Sequence, residues 1–597
     1  MIMTRFLAAL MISLAITAVS AAAATYYVAQ NDPKAADTND GAEAAPWKTL
    51  THGLASIKSG DTLMIKKGVY REEIVLPRKD WNWADVNRPA FKASGKSYAE
   101  MTGIQAFPGD EVVIKGSDVV TDWKPFKDKI YVRENWAINT QVVACDDKLL
   151  DQVHPTMPKM LMDVLDEKVK RDGDTKDMTA GSFYYDQPGK KMYVWLADGG
   201  DPSKHVMEVG VRAFLLNMDT DYVRVSGLKM RHSTISTVVN WACVGIGGAN
   251  NIIENCEITD SDFVGLGVGG QCNTVIKCKI NHHGDSGLNG SGWGHRFIDC
   301  ETSYNNYRNF SMGWHAGGVK IIPFAHDILM TGHLAEHNEG DGIWFDSGNF
   351  NVTVQNSYSH HNKGSGIFYE ISERGTFRNN VCAFNKSRGV YLSNSSDCQV
   401  LHNVFYRNGM SGVASIGVDR AYAAFGEGDK HRLAARNNVV WGNVFYDNCD
   451  PEICPKDLDG RDKPWDTRAE LILPETKDND INTGNVSDYN IFYRSPGRVL
   501  PFWKGWHQEQ FKDLAQWQDK TGNDKHSIIA DPLFTNAAKG DFVPTEKSPA
   551  INFVKPRMGA TYAADGKWRR AMAEGGADKA DTKLTAGPYE IEPEKKP

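Results

Sequence analysis

The chain of 597 residues has room for several structural layers, and 24% charged with 41% hydrophobic residues is the balance of an ordinary globular protein. A formal net charge of −8 makes it a poor partner for nucleic acid or an anionic membrane surface. Ten cysteines in a chain of this length are too sparse for a disulfide scaffold.

Arg5 precedes an apolar run over 6–19 and a small-residue stretch over 20–24, which is the build of a secretory signal peptide spanning 1–24. Its core is too short to cross a bilayer, and no later segment approaches the length required. The expectation is an exported protein, secreted or periplasmic, beginning near Thr25, and loss of Arg5 moves its net charge from −8 to −9. Residues 25–120 read as a cap with the first coils: a strand at 25–28, a Gly/Asp loop, a short helix at 51–57 and strands at 62–66 and 111–115. Over 121–211 alternating segments at 182–185 and 192–195 flank a turn at 187–191 and predict antiparallel hairpins of an inserted β-domain. A repeat fills 212–450, clear from Tyr222 onward; 451–558 carries further coils, loops and a helix near 509–520, and 559–597 is a polar tail.

What repeats is a strand opened by glycine. Gly265, Gly287, Gly318, Gly342, Gly366, Gly389 and Gly412 each precede an apolar pair spaced two apart, stepping by 22 to 24 where no insertion intervenes. A second strand is tracked by Ile258, Ile280, Thr302, Leu334, Tyr358, Cys382, Phe405 and Phe445. Periods of this length, with short strands and no helical periodicity, mean a stacked β-solenoid. Asn338, Asn362, Asn385 and Asn408 fall at equivalent turn positions, where stacked amides hydrogen-bond along the pile. Cys256, Cys278 and Cys300 take the position later held by Asn356, Asn380, Asn403 and Asn443 and read as buried thiols that behave as small hydrophobes. Cys449 and Cys454 could close a loop in an oxidising compartment, but the clustered pairs of a zinc site are lacking and no metal is expected there.

Two members of the repeat, GIWFDSG over 342–348 and GIFYEIS over 366–372, align at an interval of 24 and carry an acid at the same position, Asp346 and Glu370. Side chains alternate along a strand, so Ile343, Phe345, Ile367 and Tyr369 point inward while Trp344, Asp346, Phe368 and Glu370 point outward. Neighbouring rungs lie about 4.8 Å apart, near the roughly 5–5.5 Å of a retaining glycosidase pair and short of the roughly 6.5–9.5 Å an inverting enzyme needs. At an effective dielectric near 20, two charges about 5 Å apart repel by roughly 3 kcal/mol. That is about two pKa units, enough to keep one carboxyl of such a pair protonated near neutral pH, as a general acid must be.

Several segments carry a resemblance. The opening of the mature chain with GDTLMIKKGVYRE over 60–72 is similar to the N-terminal cap of right-handed parallel β-helix carbohydrate enzymes. GSFYYDQPGKKMYVWLADGGDP over 181–202 resembles the β-sandwich inserted in one branch of them, and SDYNIFYR, WQDKTGNDKHSIIADPLF and EKSPAIN resemble their C-terminal segment. The likeness is to β-xylosidases of this build and to their fucosidase and xylanase-like relatives. It implies an all-β fold, a right-handed parallel β-helix with an inserted antiparallel β-sandwich domain, and it implies Asp346 as nucleophile and Glu370 as acid/base.

The expectation that follows is an exported glycoside hydrolase acting on a plant or algal oligosaccharide or polysaccharide by retaining double displacement, with no cofactor. Lys320, outward beside Trp344, is expected to bond a sugar hydroxyl or hold Asp346 ionised, and Trp344, Phe368 and Tyr391 to form an outward aromatic column that serves as a sugar platform or a floor beneath a loop. His315, His337 and His361 lie in turns flanking that face, and His315 and His361 are expected as further substrate contacts. An insertion over 417–436 is expected to cover one end of the cleft and favour exo action. Two alternatives stand beside this: a polysaccharide lyase or uronan epimerase using Lys320 as base with calcium held by the acids, and a non-catalytic glycan-binding β-helix.

Overall fold

The computed structural model describes residues 23–75, 93–238, 242–417, 420–421, 432–454, 468–473, 482–498, 503–505, 510–511 and 513–554. The segment over 1–22, where a signal peptide is expected, most of the 417–436 insertion and the 559–597 tail lie outside these. Three sheets of 13 strands each, parallel throughout except for the last strand of the third, form the molecule's long axis. Sheet 1 starts with Thr25–Val28, sheet 2 with Gly68–Tyr70 and sheet 3 with Ile74–Val75, and each coil visits them in that order. The fold is a right-handed parallel β-helix. It starts under a short helix, Leu50–Ser56, whose N-cap Thr49 accepts a hydrogen bond from the His52 N–H. Among the described residues no helix is long and apolar enough to cross a membrane.

From Gly227 to Asp447 each coil turns two tight corners around sheet 2, both on a left-handed residue. Before sheet 2 these are Gly227, Asn255, Lys277, Asp299, Gly332, Asn356, Asn379, His402 and Gly442; after it, His232, Asp260, His282, Tyr304, His337, His361, Phe384, Arg407 and Asp447. Inside the second corner runs a ladder of amides. Asn305, Asn338, Asn362, Asn385, Asn408 and Asn448 each lend their Oδ1 to the backbone N–H of the residue one coil earlier, in the bonds into Asn338 through Asn448. The predicted ladder is thus present and longer at both ends. The glycines opening sheet 3 face it: a Cβ on Gly342 would lie 2.2 Å from Ser359 Oγ and 2.8 Å from Asn362 Nδ2, so the corner closes only without one.

The second-strand register corrects the sequence reading by one residue at two coils. Leu334 and Tyr358 pair with each other, but the inward partners of Ile258, Ile280 and Thr302 are Ala335 and Ser359. The apolar side chains at Leu334 and Tyr358 face outward, and Tyr358 packs with Phe542 of the C-terminal hairpin. The same slip affects Asn356. It is a left-handed corner residue, and the position following Cys300 is held by His333 and then Ser357 before Asn380. Cys256, Cys278 and Cys300 are buried at 1–2% exposure, as expected of small hydrophobes. Cys449 is buried, its Sγ donating to Met410 O at 3.1 Å, and Cys454 is partly buried.

The inserted domain leaves the solenoid between the sheet 2 strand Val112–Lys115 and the sheet 3 strand Leu216–Asp219. Its four- and five-stranded sheets run from Ser117–Val119 to Met207–Gly210 and enclose Val143, Phe183, Tyr185, Met192 and Val209. The predicted hairpin is the antiparallel pair Ser182–Asp186 with Lys191–Trp195. Charge couples this domain to the solenoid: Glu208 bonds Lys115 Nζ at 2.6 Å and Arg71 Nη2 at 2.6 Å, and Asp147 bonds Arg231 Nη1 at 2.7 Å. Past residue 450 the three sheets continue, and the helix Leu514–Thr521, capped by Asp513, buries Trp517.

Asn385 donates from Nδ2 to Ser359 O and to Asn408 Oδ1, both at 3.0 Å, and accepts from Asn362 N and Nδ2 at 3.2 and 2.9 Å. Asn385→Ala leaves several buried groups unpaired, each costing about 1–3 kcal/mol. The urea midpoint should fall by the equivalent of about 3 kcal/mol, with hydrogen-exchange protection lost first in the coils on either side; an unchanged midpoint would contradict the ladder's role.

Candidate active site

The acids sit on sheet 3, in strands Asp341–Asp346 and Ile367–Glu370. These strands pair in parallel with Asp346 opposite Glu370 and Trp344 opposite Phe368. Ile343, Phe345, Ile367 and Tyr369 are wholly buried in the solenoid core, as the alternation predicts. Outward, the column runs Asn289, Lys320, Trp344, Phe368, Tyr391 over five successive coils. The three aromatic rings stack, Trp344 on Phe368 at 4.9 Å and Phe368 on Tyr391 at 4.7 Å.

Lys320 and Trp344 are both enclosed on the outward face of the column. Lys320 is 1% exposed, its Nζ is 2.8 Å from Asp346 Oδ2, and it lies 2.8 Å from the Trp344 ring centroid. Burial pushes the Lys320 pKa below the ordinary lysine value, opposed by the Asp346 charge and hydrogen bond beside it and then by Glu370 and Asp341. Trp344, 3% exposed, is a floor and not an open platform. Phe368 and Tyr391 are half-buried, and the Arg388 guanidinium lies 4.3 Å from the Tyr391 ring centroid. Asp346 also accepts from Ser347 Oγ at 3.1 Å, and its backbone carbonyl is held by Asn349 Nδ2 at 2.7 Å.

His315 belongs to the N-terminal side of the same column. Its Nε2 lies 2.8 Å from Asn289 Nδ2 and its Nδ1 2.6 Å from the buried carboxylate of Asp285. Asn289 was missed from sequence, although Gly287-Leu288-Asn289 aligns with Gly318-Val319-Lys320 in the repeat already recognised. His361 does not join the acids. It occupies the corner before sheet 3, stacked on His337 and Phe384, at the opposite end of strands that extend about 3.3 Å per residue.

Beyond the corner that follows Asp346 runs a second ring column the sequence reading did not find. Trp293 stacks on His326 at 5.9 Å and His326 on Phe350 at 4.5 Å, with the Arg374 guanidinium 5.2 Å from the Phe350 centroid. Trp293 is 42% exposed, so its ring is open to a ligand where that of Trp344 is not. Insertions between coils hid this column from the repeat spacing. A cavity of about 1110 Å³ lies elsewhere, between the sandwich and the solenoid, lined by Gln152, Lys168, Asp260, His282, Arg308 and Lys363 among others and by neither acid.

Asp341, at the start of the Asp346 strand, is fully enclosed and accepts the Ser365 N–H at 2.5 Å. Burial drives its pKa up to about 6, with Ser365 and Lys320 opposing and Glu370 adding.

A family model described as "Right handed beta helix region" matches residues 222–405 and 290–449. Among curated proteins, the uncharacterized protein YwoF of Bacillus subtilis (strain 168) is 24% identical over 204 residues, covering 30% of this chain and 38% of that relative. Among solved structures, the complex of XylC with xylose superposes with a TM-score of 0.60 at 14% identity, covering 86% of this chain and 87% of that one. A glycoside hydrolase (TM-score 0.46, 13% identity, 84% and 99% covered) and pectate lyase Pel9A (TM-score 0.43, 13% identity, 95% and 96% covered) are also similar. At these identities the likeness is one of fold, and it is the right-handed β-helix that the strand pairing shows.

Two outcomes follow from the site. Removing one partner of a buried ion pair strands the other charge, so Lys320→Met should cost about 3 kcal/mol, and adding Asp346→Asn should restore part of it; additive losses in chemical denaturation would mean the two do not interact. Asp341 carries a pKa raised above its unfolded value near 3.9, so the stability it contributes is full below about pH 4 and is lost as pH rises through its folded value of about 6. The loss amounts to about 3 kcal/mol, and Asp341→Asn should flatten the stability profile between pH 4 and 7 by that order.

Proposed function

We propose that the protein is an exported retaining glycoside hydrolase acting on an oligosaccharide or polysaccharide, with Asp346 as nucleophile and Glu370 as acid/base. The register pairing of Asp346 with Glu370 on adjacent outward positions carries this reading, because adjacent strands lie about 4.8 Å apart, the separation of a retaining pair. Asp346 attacks the anomeric carbon while Glu370 protonates the departing oxygen. Glu370 then takes a proton from the water that hydrolyses the glycosyl ester. Lys320 at 2.8 Å and Ser347 at 3.1 Å hold the Asp346 carboxyl in position for the first step. The exposed Trp293 face offers a stacking surface for a neighbouring sugar ring. The β-xylosidase-like character and the exo mode belong to the same proposal, supported by the fold shared with XylC.

A lyase or epimerase using Lys320 as base is disfavoured, since that ammonium is 1% exposed and engaged by Asp346. What favours proton abstraction as a second reading is the Asp285–His315 pair, whose ring is held at both nitrogens.

Proton NMR of the first-formed product on an active aryl glycoside should show the substrate's own anomeric configuration. Asp346→Ala should abolish turnover with every leaving group. Glu370→Ala should slow poor leaving groups by about 10²–10⁴-fold while sparing the first step on activated glycosides, with azide restoring turnover. An inverted anomer, or full activity in Asp346→Ala, would sink the assignment; ultraviolet-absorbing unsaturated products from a uronan would favour the lyase reading.

A further inference from the structure

We propose that His337, His360 and His361 form a site for one divalent transition-metal ion that clips two successive coils of the solenoid together. The three imidazoles come from the corner between sheets 2 and 3, His337 on one coil and His360 with His361 on the next. Their ligand atoms all lie within 4.8 Å of one another.

Sequence neighbours on a strand send their side chains to opposite faces, so His360 and His361 should diverge. They converge because His361 is left-handed, with φ of 54°, as is His337 one coil earlier, with φ of 52°. The Nδ1 atoms of His360 and His361 consequently face each other at 2.8 Å. Two lone pairs at that distance repel, so one proton must lie between them. A metal ion that replaces this proton accepts both lone pairs at bond lengths of about 2.0–2.1 Å.

The surrounding groups prepare His360 for that role. Glu336, its register partner, has Oε2 3.2 Å from His360 Nε2, and a carboxylate that holds the Nε2 proton leaves Nδ1 bare for a ligand bond. Burial lowers the His360 pKa to about 3, with the His361 and His337 rings adding, and burial followed by His337 lowers that of His361, so both rings are neutral and able to bind. Ring stacking accounts for part of the arrangement: Tyr304, His337, His361 and Phe384 stack at 5.1, 4.9 and 4.7 Å. His360 packs instead on Tyr358, with ring centroids 4.1 Å apart, and stands edge-on at 83° to both other imidazoles while presenting Nδ1.

Three imidazoles with a carboxylate behind one of them select Zn²⁺, Ni²⁺ or Cu²⁺ over the oxygen-seeking Ca²⁺ and Mg²⁺. His337 and His361 are exposed, so the ion enters from solvent and keeps an open position for water. The site lies at the far end of the sheet 3 strands from Asp346 and Glu370 and takes no part in their chemistry.

The test is calorimetric titration of the untagged full chain with Zn²⁺ after dialysis against a chelator, with Co²⁺ absorption in the visible as a second readout. One equivalent should bind, and Zn²⁺ should raise the melting temperature. His361→Gln and His337→Gln, both at exposed rings and checked for a wild-type circular dichroism spectrum, should each weaken binding at least tenfold. His205→Ala, which disrupts the separate Cys145–Asp146–His205 group, should leave it unchanged. No uptake, or uptake undiminished in both His337→Gln and His361→Gln, would overturn the site.

Discussion

Coil-to-coil register is the constraint on which everything else in this molecule depends, and buried amides help set it. Backbone hydrogen bonds between parallel strands would be satisfied almost as well with a strand slipped by one residue, yet that slip sends every side chain to the opposite face. An asparagine inside the corner removes the ambiguity, because its amide must meet the matching residue of the next coil. The ladder from Asn305 to Asn448 does this six times with no exposure above 1%. His283 occupies the same position one coil earlier, where its backbone N–H donates to Asn305 Oδ1 at 3.0 Å; burial lowers its pKa to about 3, so the ring is neutral and serves as another polar rung.

The parts of the fold visible in the sequence are those where one physical demand acts alone. Gly342 and Gly366 can be nothing larger because the ladder amides approach them, so the glycine recurs from Gly265 to Gly412, giving way only to Cys243 and Glu470 on the flanking coils, and the spacing reveals sheet 3, including the alignment of Asp346 with Glu370. Sheet 2 was read less well because two demands compete there. Its outer face is covered by the C-terminal hairpin, so Tyr358 is apolar for that contact while the inward Ser359 serves the corner through a bond to Gly366 O at 2.8 Å. An alternation read from hydrophobicity alone selects Tyr358 and slips by one. Burial of outward side chains was equally hidden: nothing local to Lys320 or Trp344 says that each will be covered.

Covering them has a chemical consequence. A lysine in water is a strongly hydrated cation; enclosed against an indole, it exchanges that hydration for the Asp346 carboxylate and the ring face. The side chain is thereby enclosed and held against one acid of the pair. The sandwich domain is attached by the same kind of interaction, with Glu208 buried between Lys115 and Arg71. Breaking either partner would strand a charge, so the domain is fixed in place on the solenoid.

Asp341 ties the stability of this region to the charge state of its site. It shares with Asp346 the field of Lys320 and feels Glu370 as a repulsion. When Asp341 is protonated, Lys320 answers mainly to Asp346. Once it ionises, above about pH 6, a further negative charge enters the enclosure with no added cation, and the fold bears the desolvation of that charge. A side chain that touches no substrate thus sets how many negative charges the Asp346 strand carries at a given pH. Because Lys320 feels both Asp346 and Asp341, and Glu370 acts on Asp341 as well, the outward acids and the buried one are coupled through the enclosed ammonium.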